Sequence, residues 1–271
     1  MIPTALVDRL DNFLLELNRA SGAAILPLFR ADHGLENKAG PGDFDPVTSA
    51  DRNAEAAIRA LIASTFPDHG VIGEEYGEDR PDAEFVWVLD PVDGTRAFIA
   101  GLPVWTTLIG LRFQGRPTMG SIGQPYLGEV FLGAAAGSRL VTREGEKSLA
   151  TRKGLKLPEA IIHTTDPVGY FKPWEVEAWN RVRAATRLAR MGCDGYAYAM
   201  VALGALDIVI EAGLKSWDID AAIPLLAGAG GAVTDWFGQP VGSRGGQVVI
   251  SGDPALIPEI LPLLRDGARA G

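Results

Sequence analysis

The sequence predicts a mixed α/β (α+β) protein, with an α+β first half and an α/β second half. Three observations carry this. The 271-residue chain is 47% hydrophobic and 22% charged, a balance that suits a packed globular protein and excludes a disordered or fibrous one. Its apolar residues change from helical spacing near the start to unbroken runs and alternation over 71–132. From about residue 161 onward, strand-like and helix-like segments alternate. The 33 glycines and 18 prolines follow no period and read as many tight loops, the usual mounting for catalytic groups.

In chain order, residues 5–28 place Leu6, Leu10, Phe13, Leu14 and Leu17 three and four apart, an amphipathic helix. A loop rich in Gly, Pro and Asp follows over 34–45. It runs into Thr48-Ser49-Ala50-Asp51, whose Thr48 and Asp51 have capping-box spacing and open a second helix. That helix buries Ile58, Leu61 and Ile62 and stops near Pro67. Val71-Ile72 reads as a short strand leading to Gly73-Glu74-Glu75. Phe85-Val86-Trp87-Val88-Leu89 is apolar without alternation, a strand covered on both faces. It ends at Asp90-Pro91-Val92-Asp93-Gly94-Thr95, where a short helix begins. Segments 108–113, 119–124 and 129–132, parted by Gly or Pro turns, read as an antiparallel meander. After the polar stretch 138–156, strands at 161–165, 205–211, 231–236 and 247–250 alternate with helices at 173–185, 196–204, 219–228 and 254–264. The change of pattern divides the chain into domains 1–137 and 138–271.

The formal net charge is −9, which suits divalent cations and not the phosphate backbone of a nucleic acid. The single Cys193 cannot form an internal disulfide, and an inert buried thiol is expected because no histidine shares a motif with it. His33, His69 and His163 are scattered and read as surface or loop residues. The N-terminus reaches Asp8 and Arg9 too soon for a signal peptide, and the apolar stretch 201–210 is cut by Asp207 and too short for a bilayer. A cytoplasmic protein without membrane association is expected.

Four acidic positions stand out by where they sit. Asp90 and Asp93 flank Pro91-Val92 at the end of a buried strand, so both carboxylates have little freedom. They repel each other unless a cation neutralises them, and oxygen-only ligands select hard ions such as Mg²⁺, with Mn²⁺ able to substitute. Pro91 fixes φ and turns these side chains, and the Val92 carbonyl, toward one point. The amides of Gly94 and Thr95 open a helix and can receive an anion such as phosphate. Both aspartates are equally suited to forming a plain turn. Glu74 follows an apolar pair and a glycine, whereas Glu75, Glu78, Asp79, Asp82 and Glu84 read as a solvated acidic surface. Asp218, in Trp217-Asp218-Ile219-Asp220-Ala221-Ala222, is a ligand candidate or a helix N-cap, and Asp220 a first-turn acid of the same helix.

Taken together, Gly73-Glu74-Glu75, Trp87-Val88-Leu89-Asp90-Pro91-Val92-Asp93-Gly94-Thr95, Trp217-Asp218-Ile219-Asp220-Ala221-Ala222 and Gly228-Ala229-Gly230-Gly231 resemble, in order and separation, the motifs of the inositol monophosphatase family. The resemblance covers nearly the whole chain. It implies a five-layered αβαβα sandwich, Mg²⁺-dependent phosphomonoesterase activity, lithium sensitivity and a homodimer. By position it implies that Glu74, Asp90 and the Val92 carbonyl hold a first Mg²⁺ and that Asp90, Asp93 and Asp218 hold a second. Glu74 would also serve a weaker third ion. Thr95 and Asp51 would orient the attacking water with Glu74, and Gly94 and Thr95 would bind phosphate. Lys38 sits near the family's early lysine and is assigned no role.

Within the family, Asp93-Gly94-Thr95-Arg96-Ala97-Phe98-Ile99-Ala100-Gly101, Cys193-Asp194-Gly195-Tyr196-Ala197-Tyr198 and Ala222-Ile223-Pro224-Leu225-Leu226 look more like bacterial histidinol-phosphate phosphatases. A cationic substrate favours acidic partners, for which Asp194 and Glu211 are the matching positions. Asp194 is equally suited to capping the helix before Tyr196, while Glu211 ends a buried strand, where an unpaired acid is costly. Gly192-Cys193-Asp194-Gly195 stands where that subfamily usually has Gly-Gly-Asp-Cys, and Trp217 where it has Tyr. Inositol 1-phosphatase, a nucleotide 3′-phosphatase and a silent partner-binding member of the fold are the alternatives.

Overall fold

In a computed structural model, which describes residues 2–32, 34–37, 46–134 and 136–268, two sheets are interleaved with three helical layers. The order begins with α1 (Thr4–Ile25), β1 (Glu36–Asn37), β2 (Pro46–Val47), α2 (Ser49–Thr65), β3 (Gly70–Gly73), β4 (Gly77–Asp79), β5 (Phe85–Asp93) and α3 (Thr95–Ile99). The meander follows as β6 (Thr106–Phe113), β7 (Arg116–Gln124), β8 (Glu129–Ala134), β9 (Gly137–Thr142) and β10 (Gly145–Ser148). The remainder comprises β11 (Ile161–Thr164), α4 (Pro173–Ala185), β12 (Leu188–Met191), α5 (Asp194–Ala202), β13 (Ile208–Leu214), α6 (Ser216–Ile219), α7 (Ala222–Ala229), β14 (Ala232–Thr234), β15 (Gly246–Ser251) and α8 (Ile257–Leu264).

The eight-stranded sheet runs β10-β9-β8-β7-β6-β5-β3-β4 and the five-stranded sheet β12-β11-β13-β15-β14, while β1 and β2 form a separate ribbon. Alternate strand residues supply two cores, as a period of two requires. Trp87, Leu89, Ile109 and Leu111 face α1 and α2, meeting Leu10, Leu14, Leu17, Ile58 and Ile62. Leu108, Ile122 and Phe131 face the opposite way, onto α5 and α7, whose other side packs on Val209, Val248 and Ile250. Ile208, Ile210 and Val249 point outward to Trp179 of α4 and Ile260 of α8. The resulting layers are αβαβα, and β5 lacks alternation because it is buried on both faces.

The capping box forms as its spacing predicts: Thr48 Oγ1 accepts from the Ala50 amide, and Asp51 Oδ2 accepts from the Thr48 amide at 2.8 Å. Four expectations need correction. The polar stretch 138–156 contains most of β9 and all of β10, so the first sheet continues past residue 137, and the division drawn there falls inside β9. The helix expected over 219–228 is two, α6 and α7, broken at Asp220-Ala221. His69 is buried between Phe66 and Phe85 and accepts from Trp87 Nε1 at 3.1 Å. His163 is buried on β11. Burial pushes both imidazoles down to about 4. Lys38, His33 and most of the 34–45 loop lie outside the described residues.

Candidate active site

Two side chains three apart on a regular strand point to opposite faces. Asp90 and Asp93 escape this because the pairing of β5 with β6 slips between them, with Asp90 opposite Leu108 and Asp93 opposite Thr106. The extra residue is a bulge that re-aims Asp93. The Pro91 carbonyl, left out of the ladder, accepts from Thr107 Oγ1 at 2.8 Å. Asp93 Oδ2 is fixed by the Gly195 amide at 2.5 Å and by Thr106 Oγ1 at 3.1 Å.

Asp218 arrives from the other half of the chain. It is the third residue of α6, and its Oδ2 accepts from the Lys215 amide at 2.6 Å, so its cap-like bond and its position at the site coexist. Asp90, Asp93 and Asp218 offer carboxylate oxygens that all lie within 4.8 Å of one another. Burial raises the pKa of Asp90 strongly, as do Glu74, Asp93, Asp218 and Asp51. Burial together with Asp194 and Asp218 raises that of Asp93. Burial lifts Asp218 to about 6 against the pull of Lys215. Among the described residues, Asp90 Oδ1 is buried without a hydrogen-bond partner. A concentration of buried carboxylates with an unmatched acceptor is costly unless a cation completes it.

Glu74 follows β3, its amide donating to the Leu89 carbonyl at 3.2 Å, and its side chain borders the same cavity as the three aspartates. Thr95 begins α3; its hydroxyl lies 3.1 Å from the Val92 carbonyl and 3.4 Å from Asp51 Oδ1. Asp51 is buried, its Oδ2 also accepting from the Thr48 hydroxyl at 2.6 Å. Gly94 has φ +84°, and a Cβ there would stand 2.9 Å from Asp194 Oδ2. Only glycine meets both demands.

The cavity has a volume of about 340 Å³ and is lined by Asp90, Val92, Asp93, Gly94 and Thr95 from the β5–α3 segment and by Asp194 of α5, Glu211 of β13 and Asp218 of α6. Asp194 begins α5 at φ +44°, preceded by Cys193 as the cap residue, so its carboxylate stands over Gly94 and does not cap the helix. Burial raises Asp194 to about 6 although Arg96 opposes it. Glu211, 2% exposed, is pushed by burial up to about 8; it accepts from the Thr165 amide at 2.8 Å, the Thr165 hydroxyl at 2.9 Å and the Thr164 hydroxyl at 3.3 Å.

All the residues singled out in the sequence border this cavity except Asp51, which reaches it through Thr95. Sequence reasoning missed Arg96, Thr165, Tyr170, Tyr198 and Lys215, which also line it. Arg96 directly follows Asp93-Gly94-Thr95 in the chain. It packs 4.6 Å above the Tyr170 ring and 3.7 Å from Asp166, contacts that bring a distant loop to the rim and leave no local signal. Asp220 is not a first-turn acid. It ends α6 and forms a buried ion pair with Arg112 of β6, tying the site helix to the first sheet. Cys193 is half-buried, and burial raises its thiol pKa.

An all-oxygen, tightly grouped acidic donor set with an orphaned buried oxygen fits Mg²⁺. Comparison with known proteins agrees. The model of the inositol monophosphatase family matches residues 6–268. The chain is 42% identical over 243 residues to the chloroplastic bifunctional phosphatase IMPL2 of Arabidopsis thaliana, covering 88% of this chain and 68% of the relative. It is 30% identical over 269 residues to a histidinol-phosphatase of Mycobacterium tuberculosis, covering 98% of each. An inositol monophosphatase structure from Zymomonas mobilis matches with a TM-score of 0.85 and 36% identity, over 97% of this chain and 100% of that one. Among the described residues no helix is long and apolar enough to cross a membrane. The chain belongs to the inositol monophosphatase family and is a phosphatase.

Proposed function

We propose that this phosphatase hydrolyses L-histidinol phosphate to L-histidinol and inorganic phosphate. The observation that carries the reading is a pair of acids, half-buried Asp194 and buried Glu211, which share one cavity with the Asp90, Asp93 and Asp218 cluster. Two acids beyond the metal ligands suit a leaving group that brings an amine and an imidazole, because each charge-assisted hydrogen bond is worth about 1.5–3 kcal/mol. The histidinol-phosphatase relative, alignable end to end, supports the same substrate.

Glu74, Asp90, the Val92 carbonyl, Asp93 and Asp218 would hold two or three Mg²⁺. When bound, Mg²⁺ supplies Lewis acidity toward the phosphoryl oxygens and acidifies water. The Gly94 and Thr95 amides receive two phosphoryl oxygens at the tip of α3. The Thr95 hydroxyl has one proton, which it gives to Asp51 or to the Val92 carbonyl. Its lone pairs then face the incoming water, accept one of that water's protons and aim the remaining electron pair at phosphorus, with Glu74 holding the other side. The water oxygen bonds to phosphorus, the ester P–O bond breaks opposite it, and a proton ends on the departing alcohol. Among the described residues no serine, cysteine or histidine borders the cavity, and the two hydroxyls that do so beside a carboxylate, Thr95 and Thr165, are assigned to orienting water and to holding Glu211, so direct attack by water is favoured over a phosphoenzyme.

Inositol 1-phosphate is the second reading, favoured by Trp217 and by the Zymomonas mobilis match. Phosphate release from histidinol phosphate, inositol 1-phosphate and an adenosine bisphosphate, each with Mg²⁺ and with added Li⁺, separates them. A kcat/KM for histidinol phosphate at least tenfold above the others is expected. Preference for inositol 1-phosphate would overturn the assignment.

A further inference from the structure

The loop that carries Glu74 joins β3 to β4, and β4 is a three-residue, fully exposed edge strand paired only with β3. The Glu74 amide ties the loop to the Leu89 carbonyl of β5, and further restraint comes from α2. Glu55 is 0% exposed, and both of its oxygens are spent on this loop: Oε2 accepts from the Glu75 amide at 2.8 Å and Oε1 from the Tyr76 amide at 3.2 Å. Arg59, one helical turn on, donates to Oε1 at 2.7 Å and also reaches the Gly77 carbonyl. At the other end of the loop, a Cβ on Gly73 would overlap Oε1 itself. The loop is therefore gripped at Gly73, Glu75, Tyr76 and Gly77, and the residue in the middle is Glu74.

Burying a carboxylate under a sheet is expensive, and an apolar residue would serve the packing of α2 better. The cost is explained if the loop must be held in one shape. Asp51 and Glu55 are four apart on α2, so one helix face supports Thr95 through the first and the Glu74 loop through the second. We infer that Glu55 is the positioning residue for Glu74, setting Mg²⁺ affinity without touching the ion. This rests on the reading that Glu74 is a Mg²⁺ ligand.

The test is Mg²⁺ titration of the metal-free protein, followed by calorimetry and by thermal shift, on wild type, Glu55→Gln, Glu55→Asp and Glu74→Gln. A carboxamide has one acceptor oxygen and cannot serve both amides and Arg59, so Glu55→Gln should raise the apparent Kd for Mg²⁺ by about 10- to 100-fold. The kcat should recover at saturating Mg²⁺, and the amides of Glu75 and Tyr76 should lose hydrogen-exchange protection. Glu55→Asp, which keeps the charge and draws it back by one methylene, should shift Kd in the same direction and carries the test if the glutamine variant does not fold. Folded Glu55 variants with wild-type Mg²⁺ affinity, beside a weakened Glu74→Gln, would overturn the positioning role alone. Unchanged affinity in Glu74→Gln would overturn the metal role of Glu74 and the inference with it.

Discussion

Replacing Glu211 by glutamine separates burial from recognition. Glu211 is 2% exposed and its carboxyl is pushed up to about 8, against 4.5 for an ordinary glutamate. At about 1.4 kcal/mol per pKa unit, a charged Glu211 costs the metal-free protein about 3–5 kcal/mol, the lower figure allowing for water admitted as the site relaxes. Below pH 4.5 the folded and unfolded chains are both protonated and the group contributes nothing to the pH dependence. Between pH 4.5 and 8 the unfolded chain has released its proton while the folded one retains it, so stability falls as pH rises and levels off above pH 8. Glutamine has no such titration. Urea unfolding in EDTA at several pH values from 5 to 8.5 should show the wild type losing about 3–5 kcal/mol more than Glu211→Gln. On the substrate side, the variant should lose about 10- to 100-fold in kcat/KM for histidinol phosphate, the worth of a charge-assisted bond, and about tenfold or less for inositol 1-phosphate, whose leaving group carries no charge. Parallel stability profiles would refute the burial argument, and equal losses on both substrates would refute the recognition argument.

Three further perturbations follow from the geometry. Thr95→Val keeps the shape of the side chain and removes the hydroxyl facing Asp51 and Val92, so kcat should fall by about 10²–10⁴ with KM little changed in steady-state assays. Gly94→Ala forces a side chain into φ +84° and against Asp194, which should cost about 1–2 kcal/mol of stability in urea and lower kcat/KM as the α3 tip shifts. Asp220→Asn breaks the buried pair with Arg112 and leaves a guanidinium uncompensated, so it should cost about 3–5 kcal/mol in thermal or urea unfolding. Turnover well below the lowered melting temperature should persist, because Asp220 is not among the cavity-lining residues.

Most of the order of helices and strands could be read from local pattern, while the five layers were implied by the family resemblance. The three-and-four spacing of Leu10, Leu14 and Leu17 names α1, and the unalternating run 85–89 names a strand buried on both sides. What escaped has a physical reason. β9 and β10 are polar because they end the first sheet, where exposed positions outnumber buried ones, so hydrophobic period gives no signal. β12 is an edge strand with Leu188 and Met191 half exposed. His69 and His163 looked like loop residues because their burial depends on aromatic and sheet neighbours that the local sequence does not display. At the site, the acids stood out by their motifs. Yet the bulge that turns Asp90 and Asp93 to one face and the arrival of Asp218 beside them are products of strand register and topology. Tyr170 and Glu55 act through partners in separate elements and had no local mark.

The most direct test is Mg²⁺-dependent phosphate release from histidinol phosphate by wild type and Asp90→Asn, with melting temperatures measured on both metal-free proteins. Among the described residues Asp90 Oδ1 is a buried oxygen of the site without a hydrogen-bond partner, and the substitution removes one charge from a repelling group. Turnover reduced by about 10³-fold or more, together with an unchanged or raised melting temperature without metal, is the expected result. Near-normal Mg²⁺-dependent turnover in Asp90→Asn would contradict the proposal that these carboxylates assemble the catalytic ions.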